Sequence, residues 1–447
     1  PILRRRMGRI LRLYQKGTLM TDITSDLLPK LSASSLPGLK PVDGFLYPDY
    51  AGGSILSLPA SICRWLGAPE LGAQRLRGEL TAPFERNYQR VILILVDALA
   101  LHRLQRWMSD GSAPVWSRLA QQGQLAALTS ITPSTTSNAL TSLWTGSSPA
   151  EHGVVGYELW LKEYGIVANM ILHAPINYQN DVGSLSRAGF KPEAYLVPPT
   201  LGTHLATHGV RSYALQHRSI IRSGLSQMFF KDVDVQGFTT APELWINLRH
   251  VVERNPQERQ YLWVYTGEVD HFSHFYHPDD ERTAAEFAAF SQGFEQLFLD
   301  RLSPAARKDT LVLLTADHGM VATNKDPRYD VANHPGLTRL LHMMPTGEHR
   351  LMYLFIRPGQ TEAVRDYFAQ TWPGEFAFID PLEAVEAGLF GPGQPHPRLY
   401  DRLGDVIVAA RERAYLWWAD KENILVGRHG GLGAEEMIVP FLAAELG

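Results

Sequence analysis

Hydrophobic positions in this chain fall into a few short unbroken runs. The clearest is Arg90-Val91-Ile92-Leu93-Ile94-Leu95-Val96, which ends on Asp97. It is too short for a buried helix and too uniform for a half-exposed strand, so it predicts a strand covered on both faces, as in a parallel sheet. A second run, from Thr310 to Ala316, ends on Asp317, and a third, Tyr261 to Tyr265, is followed by Asp270. Segments with helical spacing lie between, such as Arg282 to Arg301. This alternation predicts an α/β fold with a mostly parallel sheet flanked by helices. Ligands of open α/β sheets bind beyond the carboxyl ends of the strands, where these acids stand.

The rest of the chain is less regular. Residues 21–89 are rich in Pro, Gly, Ser and Leu without a clear period and read as an irregular N-terminal wrap. Within 159–260, Thr200 to His208 has a helical pattern and Val210 to Leu215 a strand pattern. The stretch at about 321–427 opens with polar residues and then offers a strand–helix–strand unit from Arg350 to Asp380. It is read as a small subdomain inserted over the active edge of a domain spanning 90–447. No internal repeat is visible.

Composition fits a folded protein, with 45% hydrophobic and 20% charged residues. The single cysteine, Cys63, cannot form an internal disulfide, so a cytoplasmic location is expected. No apolar run approaches the roughly 18 residues of a membrane span, and no signal-peptide centre is evident. Net charge is −4, yet residues 1–20 carry Arg4, Arg5, Arg6, Arg9, Arg12 and Lys16 without an acid, and read as a basic, flexible leader. Beyond this arm there is no basic stripe, which argues against a standing nucleic-acid partner. Oligomeric state is left open.

Candidate chemistry is concentrated in four islands: Asp97; Asp270 with His274; Asp317 with His318; and His429 in a glycine-rich segment, Gly427 to Leu432. Carboxylate and imidazole suit zinc and similar ions. Asp270 and His274 stand four apart and would share a helix face. Each island alone could be a cap or a turn, but their recurrence after predicted strands favours two divalent ions, zinc first and manganese second. A hydroxyl-rich turn, Thr132-Pro133-Ser134-Thr135-Thr136-Ser137-Asn138, precedes a helical run ending at Thr145-Gly146. Hydroxyls there could simply cap the helix. They would equally meet free N–H groups and the positive end of the helix dipole, a setting for an alkoxide and a phosphate.

Together, Asp97, Thr136 ten residues before Gly146, Pro149-x-x-His152-Gly153, Asp270-x-x-x-His274, Asp317-His318-Gly319 and His429-Gly430-Gly431 resemble the alkaline phosphatase superfamily. The branch they look most like is the type I phosphodiesterase/nucleotide pyrophosphatase group, over about residues 90–447. The resemblance implies an alkaline-phosphatase-like core and hydrolysis of a small-molecule phosphoester. It implies one metal on Asp270, His274 and His429 and another on Asp97, Asp317 and His318, with Thr136 beside the second as nucleophile. His152 would shape the nucleophile turn, and His271 and His277 would be bystanders. Phosphonate hydrolysis, phosphomonoester hydrolysis and an inactive metal-stabilised binding module are the alternatives. The chain departs from the pattern at Tyr157, where the family's phosphodiesterases carry an asparagine that donates to the phosphate. The Tyr157 hydroxyl, Asn138 or backbone N–H groups would have to replace that donor.

Overall fold

The computed structural model describes residues 22–176, 181, 183–196 and 198–447. The expected basic leader, residues 1–20, lies outside them.

Each apolar run is a strand buried along its whole length. In chain order, β1 (Arg90–Val96) and β2 (Gln124–Thr129) precede three short strands, β3 (Glu158–Leu161), β4 (Ile166–Asn169) and β5 (Ala174–Pro175). Next come β6 (Arg211–His217), β7 (Val233–Phe238), β8 (Gln260–Thr266), β9 (Thr310–Thr315) and β10 (Val321–Ala322). The remainder are β11 (Thr346–Glu348), β12 (Leu351–Leu354), β13 (Phe376–Ile379), β14 (Val406–Ala410), β15 (Gly427–Arg428) and β16 (Ile438–Glu445).

Seven strands form the central sheet in the order β2-β16-β9-β1-β8-β6-β7. Only β16 runs against its neighbours. The fold is therefore α/β with a mostly parallel sheet, as the runs predict. The pairing β9-β1-β8 places the three acid-terminated strands side by side, with Val96 opposite Thr266 and Leu95 opposite Thr315. Parallel strands in register must end together, and so must the acids that follow them.

A second sheet, fully antiparallel, has the order β13-β14-β12-β11-β3-β4-β5. The 321–427 stretch supplies β11 to β14, including the expected unit as β12, the helix Thr361–Thr371 and β13. The other three strands come from residues 158–175, joined through the single pair Gly347 and Glu158. This sheet has its own apolar core, with Leu354, Phe368, Trp372, Val408 and Trp417.

The N-terminal segment carries more regular structure than its composition suggests. Thr24–Ser32 and Leu58–Trp65 are helices. The second is buried at every position but Arg64, so it lacks the polar face that makes a helix legible. Bridges from Asp22 to Leu125 and from Ser54 to Thr129 tie the segment to β2.

Candidate functional site

Asp97 directly follows β1, and Asp317 and His318 follow β9 within three residues. Beyond β8 the chain enters the helix Glu268–Tyr276, whose period brings His274 Nε2 to 3.3 Å from Asp270 Oδ1. His429 arrives from far along the chain. It follows β15, which pairs with β10 just past His318, and its Nε2 lies 3.8 Å from Asp270 Oδ1. His318 Nε2 is 3.4 Å from Asp97 Oδ1 and 3.5 Å from Asp317 Oδ2. All six expected ligands thus meet at one sheet edge.

Two groups could each hold an ion: Asp270, His274 and His429; and Asp97, Asp270 and His318. The second differs from the set implied by the motifs, because Asp270 sits between the groups while Asp317 turns one oxygen away. Asp317 Oδ1 accepts from the N–H of Ala98 and of His318, at 3.2 and 3.0 Å. Its Oδ2, with Asp97 Oδ1 and Asp270 Oδ1, is buried and has no hydrogen-bond partner. Unsatisfied buried acceptors of this kind cost about 1–3 kcal/mol each, and more when charged, so three at one site fit cation binding.

The histidines are set for the same task. Nδ1 of His274, His318 and His429 faces a carbonyl oxygen, of Gly427 at 2.8 Å, Gly319 at 2.8 Å and Ser134 at 3.1 Å. A carbonyl only accepts, so each Nδ1 carries a proton and each Nε2 is the nitrogen turned towards the acids, the atom that could ligate a metal. His318 and His429 stack with ring centroids 3.8 Å apart. Burial, followed by the neighbouring His318, drives His429 well below its usual pKa. Burial and the adjacent acids hold Asp97 well above the carboxylate range, and burial lifts Asp317 to about 7. Against the cost of burial, His274 and His429 keep Asp270 below it.

Thr136 opens the helix Thr136–Thr145, which Gly146 ends in the left-handed conformation at φ 67°. Thr136 Oγ1 lies 3.2 Å from His318 Nε2 and 3.4 Å from Asp97 Oδ2. The hydroxyl of Thr135, one residue earlier, instead neighbours the carboxyl of Glu348, whose pKa it lowers against the effect of burial. His152 meets Ser142 at 3.0 Å beneath the same helix. Of the proposed phosphate donors, Asn138 turns its amide to Pro133 O at 2.7 Å. The Tyr157 hydroxyl accepts from Asn169 Nδ2 at 2.5 Å.

Several contributors carry little or no signal in the sequence. Tyr265 donates its hydroxyl to Asp97 Oδ2. Glu436, fully buried, receives Arg350 through both oxygens at 2.8 Å and also accepts from Gly431 N at 2.8 Å and Gly433 N at 3.3 Å. Its backbone oxygen takes Gly319 N at 2.8 Å. One ion pair therefore fixes the loops carrying His429 and His318. Only strand alternation hinted at Tyr265, which shares a face with Tyr261 and Trp263.

The model of the type I phosphodiesterase/nucleotide pyrophosphatase family matches residues 91–432. The chain belongs to this family. It is accordingly a hydrolase acting on phosphoester bonds, in the alkaline phosphatase superfamily. Among solved structures, murine ectonucleotide pyrophosphatase/phosphodiesterase 5 is similar at 15% identity and a TM-score of 0.58, over 79% of this chain and 87% of that one. An inactive variant of the murine protein in complex with AMP gives 14% and 0.58 over the same shares. Phosphonoacetate hydrolase from Sinorhizobium meliloti, in complex with phosphonoacetate, gives 18% and 0.57, over 79% and 89%. No curated protein sequence matches the chain. Among the described residues, no helix is long and apolar enough to cross a membrane.

Proposed function

We propose that this family member hydrolyses a small-molecule phosphodiester or pyrophosphate, with Thr136 as nucleophile and two divalent ions, zinc by the donor set, as cofactors. The observation that carries the reading is the position of Thr136 Oγ1, at a helix start and within 3.4 Å of both Asp97 and His318. Asp270, His274 and His429 would hold one ion, and Asp97, Asp317 and His318 the other. When bound, the ions supply positive charge that lowers the pKa of the threonine hydroxyl and stabilises the leaving oxygen. Thr136 Oγ1 attacks phosphorus, and the new P–O bond forms as the bond to the leaving group breaks. Water then cleaves the phosphothreonine and restores the hydroxyl. Asn138 gives an amide hydrogen to Pro133 O, so the first N–H groups of the helix are the proposed donors for the phosphoryl oxygens, and the Tyr157 hydroxyl, which only accepts from Asn169, keeps its proton as a further one. The single cysteine, buried Cys63, supports a cytoplasmic setting.

No arginine adjoins Thr136 to neutralise the extra charge of a monoester, so bis(p-nitrophenyl) phosphate should exceed p-nitrophenyl phosphate in kcat/KM. A monoester preference would overturn the diesterase reading. The fold shared with phosphonoacetate hydrolase supports a second reading as a phosphonate hydrolase, which acetate release from phosphonoacetate would favour. Bound metal with no turnover of any of these would favour the binding module instead.

A further inference from the structure

A cavity of about 180 Å³ opens beside the reacting groups, with Asp97, Thr136 and Asp270 at one end. Away from them its walls are Leu140, Trp144, Ile220, Phe229, Phe230 and Trp263. Gln216, Ser223, Ser226 and Tyr265 also line it, and their side-chain donors are already committed, that of Tyr265 to Asp97 Oδ2. Gln216 Nε2 donates to Ser226 Oγ at 2.8 Å and to Ile220 O at 3.3 Å. Ser226 Oγ donates to Ile220 O at 2.8 Å, and Ser223 Oγ to Ser226 Oγ at 3.0 Å. Among the described lining residues there is no lysine, arginine or histidine. The indole N–H of Trp144 is buried without an acceptor, which leaves a place for at most one acceptor on a guest.

We infer that this cavity receives an uncharged, apolar substituent of the substrate, of the size of one aromatic ring. The inference rests on the phosphoester hydrolase reading and specifies its substrate as an aryl or compact alkyl ester. An engineered apolar cavity of about 150 Å³ takes benzene, which sets the scale. Trp144 packs against Trp263 at 5.2 Å and edge-on to Phe230 at 5.1 Å, so a guest ring would extend an aromatic cluster. The carboxylate of phosphonoacetate would meet no cation here. A nucleobase would bring several ring acceptors to walls with a single uncommitted donor, the Trp144 indole N–H, and buried unpaired groups discriminate strongly.

Binding and turnover test this separately. Calorimetry of the zinc-loaded protein compares phenylphosphonate, methylphosphonate and phosphonoacetate. Phenylphosphonate should bind at least about tenfold more tightly than methylphosphonate, since a single methylene in an apolar pocket is already worth about that much. Phosphonoacetate should bind no more tightly than methylphosphonate. Ile220→Trp and, independently, Phe230→Trp should fill the space and bring the phenyl-to-methyl ratio towards one. Equal binding of the two, tighter phosphonoacetate, or binding of none overturns the inference. p-Nitrophenyl phenyl phosphate and p-nitrophenyl methyl phosphate, which share a leaving group, then report on the reaction. A standing phenyl preference in binding with turnover of neither ester would leave the cavity assignment intact and refute the diesterase reading.

Discussion

Two adjacent threonines face different partners, and that difference separates the proposed nucleophile from its neighbour. Thr136 Oγ1 looks towards Asp97 and His318, whereas the Thr135 hydroxyl neighbours the carboxyl of Glu348. Thr136→Ala is expected to retain fold and metal content while kcat falls by about 10³-fold or more, as on losing a covalent nucleophile. Thr135→Ala should keep most of the rate. Activity surviving in the first variant and lost in the second would shift the nucleophile by one residue; activity surviving in both would point to direct attack by water. Glu348 itself gives a pH signature. Burial raises its pKa from 4.5 to about 8, so between those values the unfolded chain has released a proton that the folded chain keeps. Ionisation therefore weakens the folded state as pH rises through this window. Glu348→Gln, shaped like the protonated acid, should be neutral near pH 4 and stabilising by about 1–3 kcal/mol near pH 8. Denaturant titrations giving a pH-independent difference would remove burial of this acid as the cause.

At the scale of elements, the Arg350–Glu436 pair joins the turn between β11 and β12 to the loops that carry His429 and His318. Both partners are buried, at 1% and 0% exposure, and Glu436 also receives two glycine N–H groups. Removing one partner leaves a buried charge uncompensated, so Arg350→Met should cost about 3–5 kcal/mol. Because the loop it fixes orients His429, metal affinity should fall about 10–100-fold as well. Chelator competition on the folded variant separates the two effects. Lost stability with unchanged metal affinity would mean that the pair supports the fold and not the site. Arg350→Met combined with Glu436→Met should recover part of the stability, since an apolar pair avoids the desolvation cost.

In the whole molecule, three carboxylates and three imidazoles are gathered at one edge of the central sheet, with one oxygen of each carboxylate unpartnered. Burial and mutual repulsion of the acids would make a metal-free state the less stable one. Metal analysis of the active protein should give close to two ions per chain. Removing them should abolish activity and lower Tm, because an ion that binds only the folded state stabilises it by linkage. One ion or fewer in fully active protein would rule out the two-metal mechanism.

What the sequence determined by itself is what local pattern encodes. The buried strands were legible because an unbroken apolar run has no exposed face, and each revealed an acid at its carboxyl end. Asp270 and His274 were legible as partners because helical period is a property of nearby residues. The N-terminal helix Leu58–Trp65 was not, since burial on all sides erases the period. Tertiary structure alone decided that β9, β1 and β8 lie together and that His429 returns to Asp270. It also decided that residues 158–175 complete a sheet built mainly from 346–410. Nothing local in the sequence marks Arg350, Glu348 and Glu436 as buried, or Leu140, Trp144 and Phe230 as walls of a cavity. Burial, pairing and the shape of a cavity depend on residues distant in the chain, so their roles exist only once the chain has folded.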